Sequence, residues 1–122
     1  MDSGRIAAFF ETEIGRKLRS GENVLREFKF SILEDGANYD AALAGEQILL
    51  QGVVDCALME EDGITVIDFK TDYVTAETLP QKVAHYAPQV QAYADALERI
   101  YGRKVKAALL YFFHVEEFAV VR

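Results

Sequence analysis

Two stretches of the chain, Gly52-Val53-Val54-Asp55 and Ile67-Asp68-Phe69-Lys70, decide its interpretation. Each stretch has the composition of an apolar β-strand, yet together they carry two aspartates and a lysine. A charge buried in a sheet is costly unless an opposite charge or a bound ion offsets it. The two stretches therefore predict a cluster of ionised groups with a specific purpose.

The residues between these stretches predict an antiparallel hairpin. Strands are expected over Ile48–Met59 and Ile64–Lys70, and the Glu61-Asp62-Gly63 turn places glycine where a positive φ is wanted. Because side chains alternate along a strand, Asp68 and Lys70 should share one face.

A turn centred near Asp62 fixes which residues of the two strands face each other. It would pair residues whose numbers sum to about 124, which places Asp55 opposite Phe69 to within about one residue. Asp55, Asp68 and Lys70 should then converge on one small region.

The remaining pattern predicts an α/β fold of the restriction-endonuclease-like kind, with a mixed β-sheet flanked by helices. Gly21 should end the first helix, and Gly102 should end the last. The expected elements are a helix over Ile6–Arg19, a strand over Val24–Leu33, a short helix near Glu77–Val83, a helix over Pro88–Tyr101, a strand over Val105–Phe113 and an edge strand over Glu117–Val121.

Composition limits the function classes. At 122 residues and about half hydrophobic, the chain predicts one folded domain, and no apolar run reaches the roughly 20 residues that span a membrane. A lone cysteine, Cys56, excludes a disulfide framework and a four-cysteine iron–sulfur site within this sequence. These features predict a reducing, cytoplasmic setting.

The formal net charge of −7 opposes independent binding to nucleic acid, because phosphate neutralisation dominates such affinity. If the substrate is DNA, the domain is expected to act on strands that another part of the protein delivers.

The cluster of Asp55, Asp68 and Lys70 suits a hard divalent cation, Mg²⁺ with Mn²⁺ as a substitute. The backbone carbonyl of Phe69 is a plausible further ligand. A metal there could activate water and polarise a phosphoryl oxygen, while Lys70 orients the water and offsets charge on the phosphate. An Asp-x-Lys on a strand is more often a surface ion pair, so the tripeptide alone does not settle the matter.

Gln89 and Tyr93 are four residues apart and therefore share one side of the Pro88–Tyr101 helix. Taken alone, they describe an ordinary helix. Taken in order after Gly52-Val53-Val54-Asp55 and Asp68-Phe69-Lys70, the pair resembles the signature of the RecB-type nuclease family of the PD-(D/E)XK superfamily. Arg26-Glu27-Phe28 and Tyr86 make it most similar to the C-terminal nuclease domains of AddA-type helicase–nucleases.

This resemblance implies metal-dependent DNA cleavage, with Asp55 and Asp68 as metal ligands and Lys70 as an essential catalytic group. It implies that Gln89 and Tyr93 contact DNA or support the site, and it extends the same role to Glu27. It further implies a bacterial cytoplasmic exonuclease for double-strand break repair and recombination, an ATP-dependent helicase elsewhere in the parent protein, single-stranded DNA as substrate and an AddB-like partner subunit.

Two features depart from the family pattern. Members usually carry a metal-ligating histidine on a helix well before the upstream glutamate, whereas the histidines here are His85 and His114, and no Gly-x-x-x-x-Gly-Lys motif for ATP is present. We therefore expect a single nuclease domain over residues 1–122, part of a larger helicase–nuclease and lacking its motor and first nuclease helix. The isolated domain is expected to bind metal weakly and to cut poorly.

Three other functions compete with this interpretation. One is a catalytically idle domain of the same fold that holds DNA or a partner, although such a domain has no use for Asp55, Asp68 and Lys70. An iron–sulfur nuclease conflicts with the single cysteine. A two-carboxylate glycosidase explains neither Lys70 nor the Gln89 and Tyr93 pair.

Overall fold

The computed structural model describes residues 3–21, 23–38 and 40–122. In this part of the chain, five strands form one sheet in the order β1-β2-β3-β4-β5, with helices on both of its faces. The elements are α1 (Ser3–Glu11), α2 (Glu13–Ser20), β1 (Val24–Asp35), β2 (Gln47–Glu60), β3 (Gly63–Lys70), α3 (Leu79–Tyr101), β4 (Val105–Phe112) and β5 (Glu117–Val120). The expected mixed sheet flanked by helices is confirmed.

The hairpin of β2 and β3 forms as expected. The strands are antiparallel, with Cys56 opposite Ile67 and Glu60 opposite Gly63, and Gly63 has a φ of 145°. This register places Asp55 opposite Asp68 rather than Phe69, a difference of one residue. The shift follows from a turn that is one residue tighter than a turn centred on Asp62.

One parallel pair makes the sheet mixed. β3 and β4 run side by side in the same direction, with Asp68 opposite Leu110 and Lys70 opposite Phe112. Such a pairing needs a crossover connection, and α3 supplies it across one face of the sheet. The ends of β3 and β4 therefore lie together near the start of α3.

The expectation of two helices on either side of Pro88 is wrong. A single helix, α3, runs through this residue from Leu79 to Tyr101, and Pro80 takes the place in its first turn. Pro88 removes one backbone donor, which leaves the carbonyl of Ala84 without its helical partner. Both residues are exposed, so water can hydrogen-bond that carbonyl.

The expected helix over Ile6–Arg19 is also wrong, because the chain breaks it into α1 and α2 at Thr12. The Thr12 side chain accepts a hydrogen bond from the Gly15 N–H at 2.9 Å and so caps α2. A Cβ on Gly15 would lie 2.0 Å from the Phe9 carbonyl oxygen, so glycine permits the sharp bend. Gly21 ends α2 in the left-handed conformation, as expected.

Two apolar clusters lie on opposite faces of the sheet. The cluster under α3 includes Val54, Val66, Val90, Leu97 and Phe112, and the cluster under α1 and α2 includes Phe9, Leu18, Cys56, Ile67 and Tyr111. Among the residues described, no helix is long and apolar enough to cross a bilayer.

Candidate active site

Asp68 and Lys70 lie at the end of β3 on the face that α3 covers. Their neighbour at the same alternation, Val66, belongs to the apolar cluster under α3. The Lys70 Nζ is 2.9 Å from the Asp68 Oδ2, and Asp68 is only 8% exposed. The structure therefore brings these two predicted residues together as a shielded ion pair, and not as the solvated surface pair that an Asp-x-Lys more often forms.

Asp55 joins the pair from β2 by replacing a bond of the sheet. Its Oδ2 accepts a hydrogen bond from the Phe69 N–H at 2.9 Å, just beyond the last β2–β3 pair, Cys56 with Ile67. A side chain thus takes the donor that a backbone carbonyl would otherwise accept. This contact fixes the Asp55 carboxylate beside the segment from Asp68 to Lys70.

The two carboxylates affect each other. Burial and the neighbouring Asp55 carboxylate raise the pKa of Asp68 from 3.8 to about 6, against the opposing effect of Lys70. Two acidic groups in a shielded place repel each other when both are ionised, so the lysine alone does not balance them. A second positive charge at this point would relieve the repulsion.

An interruption in β2 turns Asp55 towards this face. Val54 contacts the cluster under α3, and so does Ala57, whereas Cys56 belongs to the opposite cluster. Strict alternation would put Val54 and Ala57 on different faces, so the alternation breaks between them. Asp55 stands at the break.

The partner strand carries the same interruption at Glu27. Leu25 and Phe28 both pack against the cluster under α3, and Glu27 between them has a φ of 48°, which is unusual for a residue other than glycine. The ladder runs from Arg26 with Cys56 to Phe28 with Val54, so Glu27 stands opposite Asp55. The expected regular alternation of β1 is wrong at this residue. Glu27 itself is exposed.

Lys70 is held from its other side by Tyr86 of α3. The Nζ lies 3.9 Å from the centre of the Tyr86 ring, a favourable contact between a cation and an aromatic face. The Tyr86 hydroxyl donates to the Asp72 Oδ2 at 2.7 Å, and Lys82 donates to the same oxygen at 3.1 Å. The Tyr86 hydroxyl and then Lys82 lower the pKa of Asp72.

Sequence reasoning did not assign a role to Asp72, Lys82 or Tyr86 in this arrangement. A signal was available, because Lys82 and Tyr86 are four residues apart and therefore share a face of a helix. The break expected at Pro88 hid it. Once α3 is continuous, its first turns bring both side chains over the end of β3.

Gln89 and Tyr93 have different environments. Tyr93 packs edge to face against Phe30, with ring centres 5.3 Å apart, and it covers Gly52, where a Cβ would lie 2.5 Å from the tyrosine ring. Gln89 is exposed. The glycine that opens the first motif is therefore required by the tyrosine of the last motif, which gives both a structural reason.

The predicted metal ligands Asp55, Asp68 and the Phe69 carbonyl are all at the end of β3. Within the described ranges, no histidine, cysteine or further acidic residue joins the two aspartates to make a group of three that could hold a metal. Their oxygen donors nevertheless suit a hard divalent cation, and the raised pKa of Asp68 shows the charge that such an ion would offset.

Comparison with known proteins agrees with this geometry. The family model of the PD-(D/E)XK nuclease superfamily matches residues 2–121. Three relatives, each named as the AddA-type chain of an ATP-dependent helicase/nuclease, match with these values: Carboxydothermus hydrogenoformans, 38% identical over 119 residues, 96% of this chain and 10% of the relative; Alkaliphilus oremlandii, 36% over 120 residues, 96% and 10%; and Bacillus cereus strain B4264, 37% over 119 residues, 89% and 10%.

The chain therefore spans about a tenth of the length of these relatives. The family match covers nearly every residue, and the expected resemblance and fold class are confirmed. With its two aspartates and its lysine gathered at the end of β3, this chain belongs to the PD-(D/E)XK nuclease superfamily, as a domain related to part of the AddA-type ATP-dependent helicase/nucleases.

Proposed function

We propose that this chain is a Mg²⁺-dependent DNA nuclease domain in which Asp55, Asp68 and Lys70 act together. The observation that carries the proposal is the shielded cluster at the end of β3, where Lys70 lies 2.9 Å from Asp68 and Asp55 is held by the Phe69 N–H. Such a cluster adds nothing to the apolar core. Its use is to hold a cation beside a fixed lysine.

Asp55, Asp68 and the carbonyl of Phe69 would hold the ion, with Mn²⁺ as a substitute for Mg²⁺. A divalent metal supplies Lewis acidity towards a phosphoryl oxygen and lowers the pKa of a bound water. Superfamily members generally use divalent metals. The donor set here, which consists of oxygen atoms, fits Mg²⁺ and Mn²⁺ better than softer ions.

Lys70 supplies the fixed positive charge. Asp68 and the Tyr86 ring hold its Nζ from two sides, so the ammonium group is positioned before substrate arrives. It can orient an attacking water and offset the negative charge that grows on the phosphate during cleavage. Gln89, exposed near this end of α3, is proposed to contact the DNA, and Glu27 to support the strand at Asp55.

The wider role follows the relatives' name and stays a proposal. We propose that the domain belongs to a larger protein whose ATP-dependent helicase feeds it single-stranded DNA, with an AddB-like partner subunit. The net charge of −7 supports delivery by another part of the protein. The activity would be that of an exonuclease acting in bacterial double-strand break repair and recombination, which entails a cytoplasmic location.

One observation favours the alternative of a catalytically idle domain that binds DNA or a partner. Apart from Asp55 and Asp68, the described part of the chain offers no acidic, histidine or cysteine side chain to complete a group of three. A site with two carboxylates holds Mg²⁺ weakly unless waters, the substrate phosphate or a further segment add ligands.

Metal binding and DNA cleavage by the purified chain test the proposal. We expect weak Mn²⁺ binding by calorimetry and slow Mn²⁺-dependent cleavage of a labelled single-stranded oligonucleotide. Asp68→Ala should lose both, and Lys70→Ala should lose cleavage but keep binding. Lys104→Ala, which removes an exposed lysine, is the matched control. Equal cleavage by wild type and Lys70→Ala would refute the proposed role of the lysine.

A further inference from the structure

We propose that Tyr73 and the depression beside it bind one nucleotide of the single strand that the domain cuts, by stacking on its base. The Tyr73 depression is lined by Tyr73, Thr75, Thr78, Gln81, Lys82 and His85. The proposal rests on the proposed nuclease function, and it adds a contact with a base to the contacts with phosphate at Asp55, Asp68 and Lys70.

Tyr73 presents an unusually open aromatic surface. Its side chain is 75% exposed, although it follows shortly after the end of β3. The ring is nevertheless anchored, because it rests against the His114 ring with centres 4.3 Å apart. A large, anchored and exposed aromatic side chain is the form that base-stacking platforms take in proteins that bind single strands.

The depression beside Tyr73 has the size of a small-molecule site. Its volume is about 390 Å³, within the range of ~300–1,000 Å³ common for ligand pockets. One side is a stiff loop, since the Thr75 N–H donates to the Thr78 hydroxyl at 2.8 Å and the two hydroxyls are 3.2 Å apart. A shaped recess next to an aromatic platform can accept a sugar or base edge.

A chain of contacts links the depression to the candidate active site. Lys82 lines the depression and donates to Asp72, which also accepts from the Tyr86 hydroxyl. The Tyr86 ring in turn lies under the Lys70 Nζ. A strand whose phosphate lay at Lys70 would therefore have a neighbouring nucleotide within reach of Tyr73.

Charge explains why stacking is the expected mode. Lys82, the lysine of the depression, is already paired with Asp72, and the whole chain carries a net charge of −7. Attraction of phosphates is thus weak here, whereas stacking needs no positive charge and tolerates any base.

Photocrosslinking tests the contact directly. The metal-free chain is mixed with oligothymidylate that carries 5-iododeoxyuridine at single positions, irradiated, digested and analysed by mass spectrometry. We expect the adduct on Tyr73, with His114 or His85 as minor sites. Adducts found only on other aromatic residues, or no adduct at any position, would overturn the proposal.

Substitutions separate the aromatic ring from simple apolar bulk. Tyr73→Leu should weaken binding of the same oligonucleotide about 5- to 100-fold, whereas Tyr73→Phe should bind like wild type. An oligonucleotide with an abasic residue at the crosslinked position should bind wild type and Tyr73→Leu equally. Leu49→Ala, which removes another exposed apolar side chain, is the control and should change nothing. Equal loss in the Phe and Leu variants would contradict stacking.

The two proposals fail differently. If Lys70→Ala still cleaves with Mn²⁺, the nuclease assignment fails whatever residue is crosslinked. If cleavage requires Lys70 while Tyr73→Leu leaves both KM and the crosslinking pattern unchanged, the stacking proposal alone fails.

Discussion

The carboxyl group of Asp68 gives the metal-free chain a pH dependence of known sign. Its pKa is about 6 in the folded chain and near 3.8 when unfolded, so between these values the folded chain holds a proton that the unfolded chain has lost. The free energy of unfolding should therefore fall as the pH rises through this window.

Asp68→Asn tests this effect. The variant removes the buried charge, so above pH 6 and with EDTA present we expect it to be more stable than wild type by roughly 2 kcal/mol. The difference should shrink towards pH 4. Urea unfolding across this range is the measurement, with the exposed Asp62→Asn as control. A constant difference at all pH values would contradict the assignment.

Tyr86 is expected to position Lys70 rather than to react. Tyr86→Phe keeps the ring under the lysine and loses the hydrogen bond to Asp72, whereas Tyr86→Leu loses both contacts. Because a contact between a cation and a ring contributes ~0.5–2 kcal/mol, Tyr86→Leu should lower kcat by roughly 2- to 30-fold beyond Tyr86→Phe. The comparison uses Mn²⁺-dependent cleavage, and identical rates in both variants would exclude a role for the ring.

The contact between β2 and α3 depends on the absence of a side chain at residue 52. Gly52→Ala would place its Cβ 2.5 Å from the Tyr93 ring and 2.9 Å from the Phe30 ring, so both rings must move. We expect a loss of about 1–3 kcal/mol in the free energy of unfolding. The same substitution should cost less in a Tyr93→Leu background, as measured by a double-mutant cycle. Full additivity would show that the two residues do not press on each other.

Several elements could be predicted from the sequence because their signals are local. The Gly63 turn fixed the hairpin, and alternation correctly placed Asp68 and Lys70 on one face. The break in alternation could not be predicted, since Glu27 adopts a positive φ without being glycine. The continuous α3 was missed because Pro88 usually ends a helix and only the exposed position of this proline makes it tolerable.

The candidate site was predictable as a set of residues but incomplete as a structure. Asp55, Asp68 and Lys70 were expected to converge, and the structure places them together. The support of Lys70 by Tyr86 and Asp72 depends on the angle at which α3 crosses the sheet, which no short pattern encodes.

As a whole, the molecule is acidic and small compared with the relatives it matches, so its activity should depend on context. We expect a chimera to show this, in which the chain replaces the matched tenth of the Carboxydothermus hydrogenoformans relative. Metal-dependent cleavage by the chimera should exceed that of the isolated chain by at least an order of magnitude, because the motor supplies DNA. The Lys70→Ala chimera is the control, and a chimera no faster than the isolated chain would contradict dependence on delivery.

The parallel pairing of β3 with β4 has a consequence for biosynthesis. A growing polypeptide can close the antiparallel meander β1-β2-β3 from nearby residues as soon as these leave the ribosome. Asp68 and Lys70 gain their neighbours Leu110 and Phe112 only after the whole of α3 has also been synthesised. The nascent chain must therefore expose one edge of its half-finished sheet until translation nears residue 112, and the acidic pair can become shielded only at the end of synthesis.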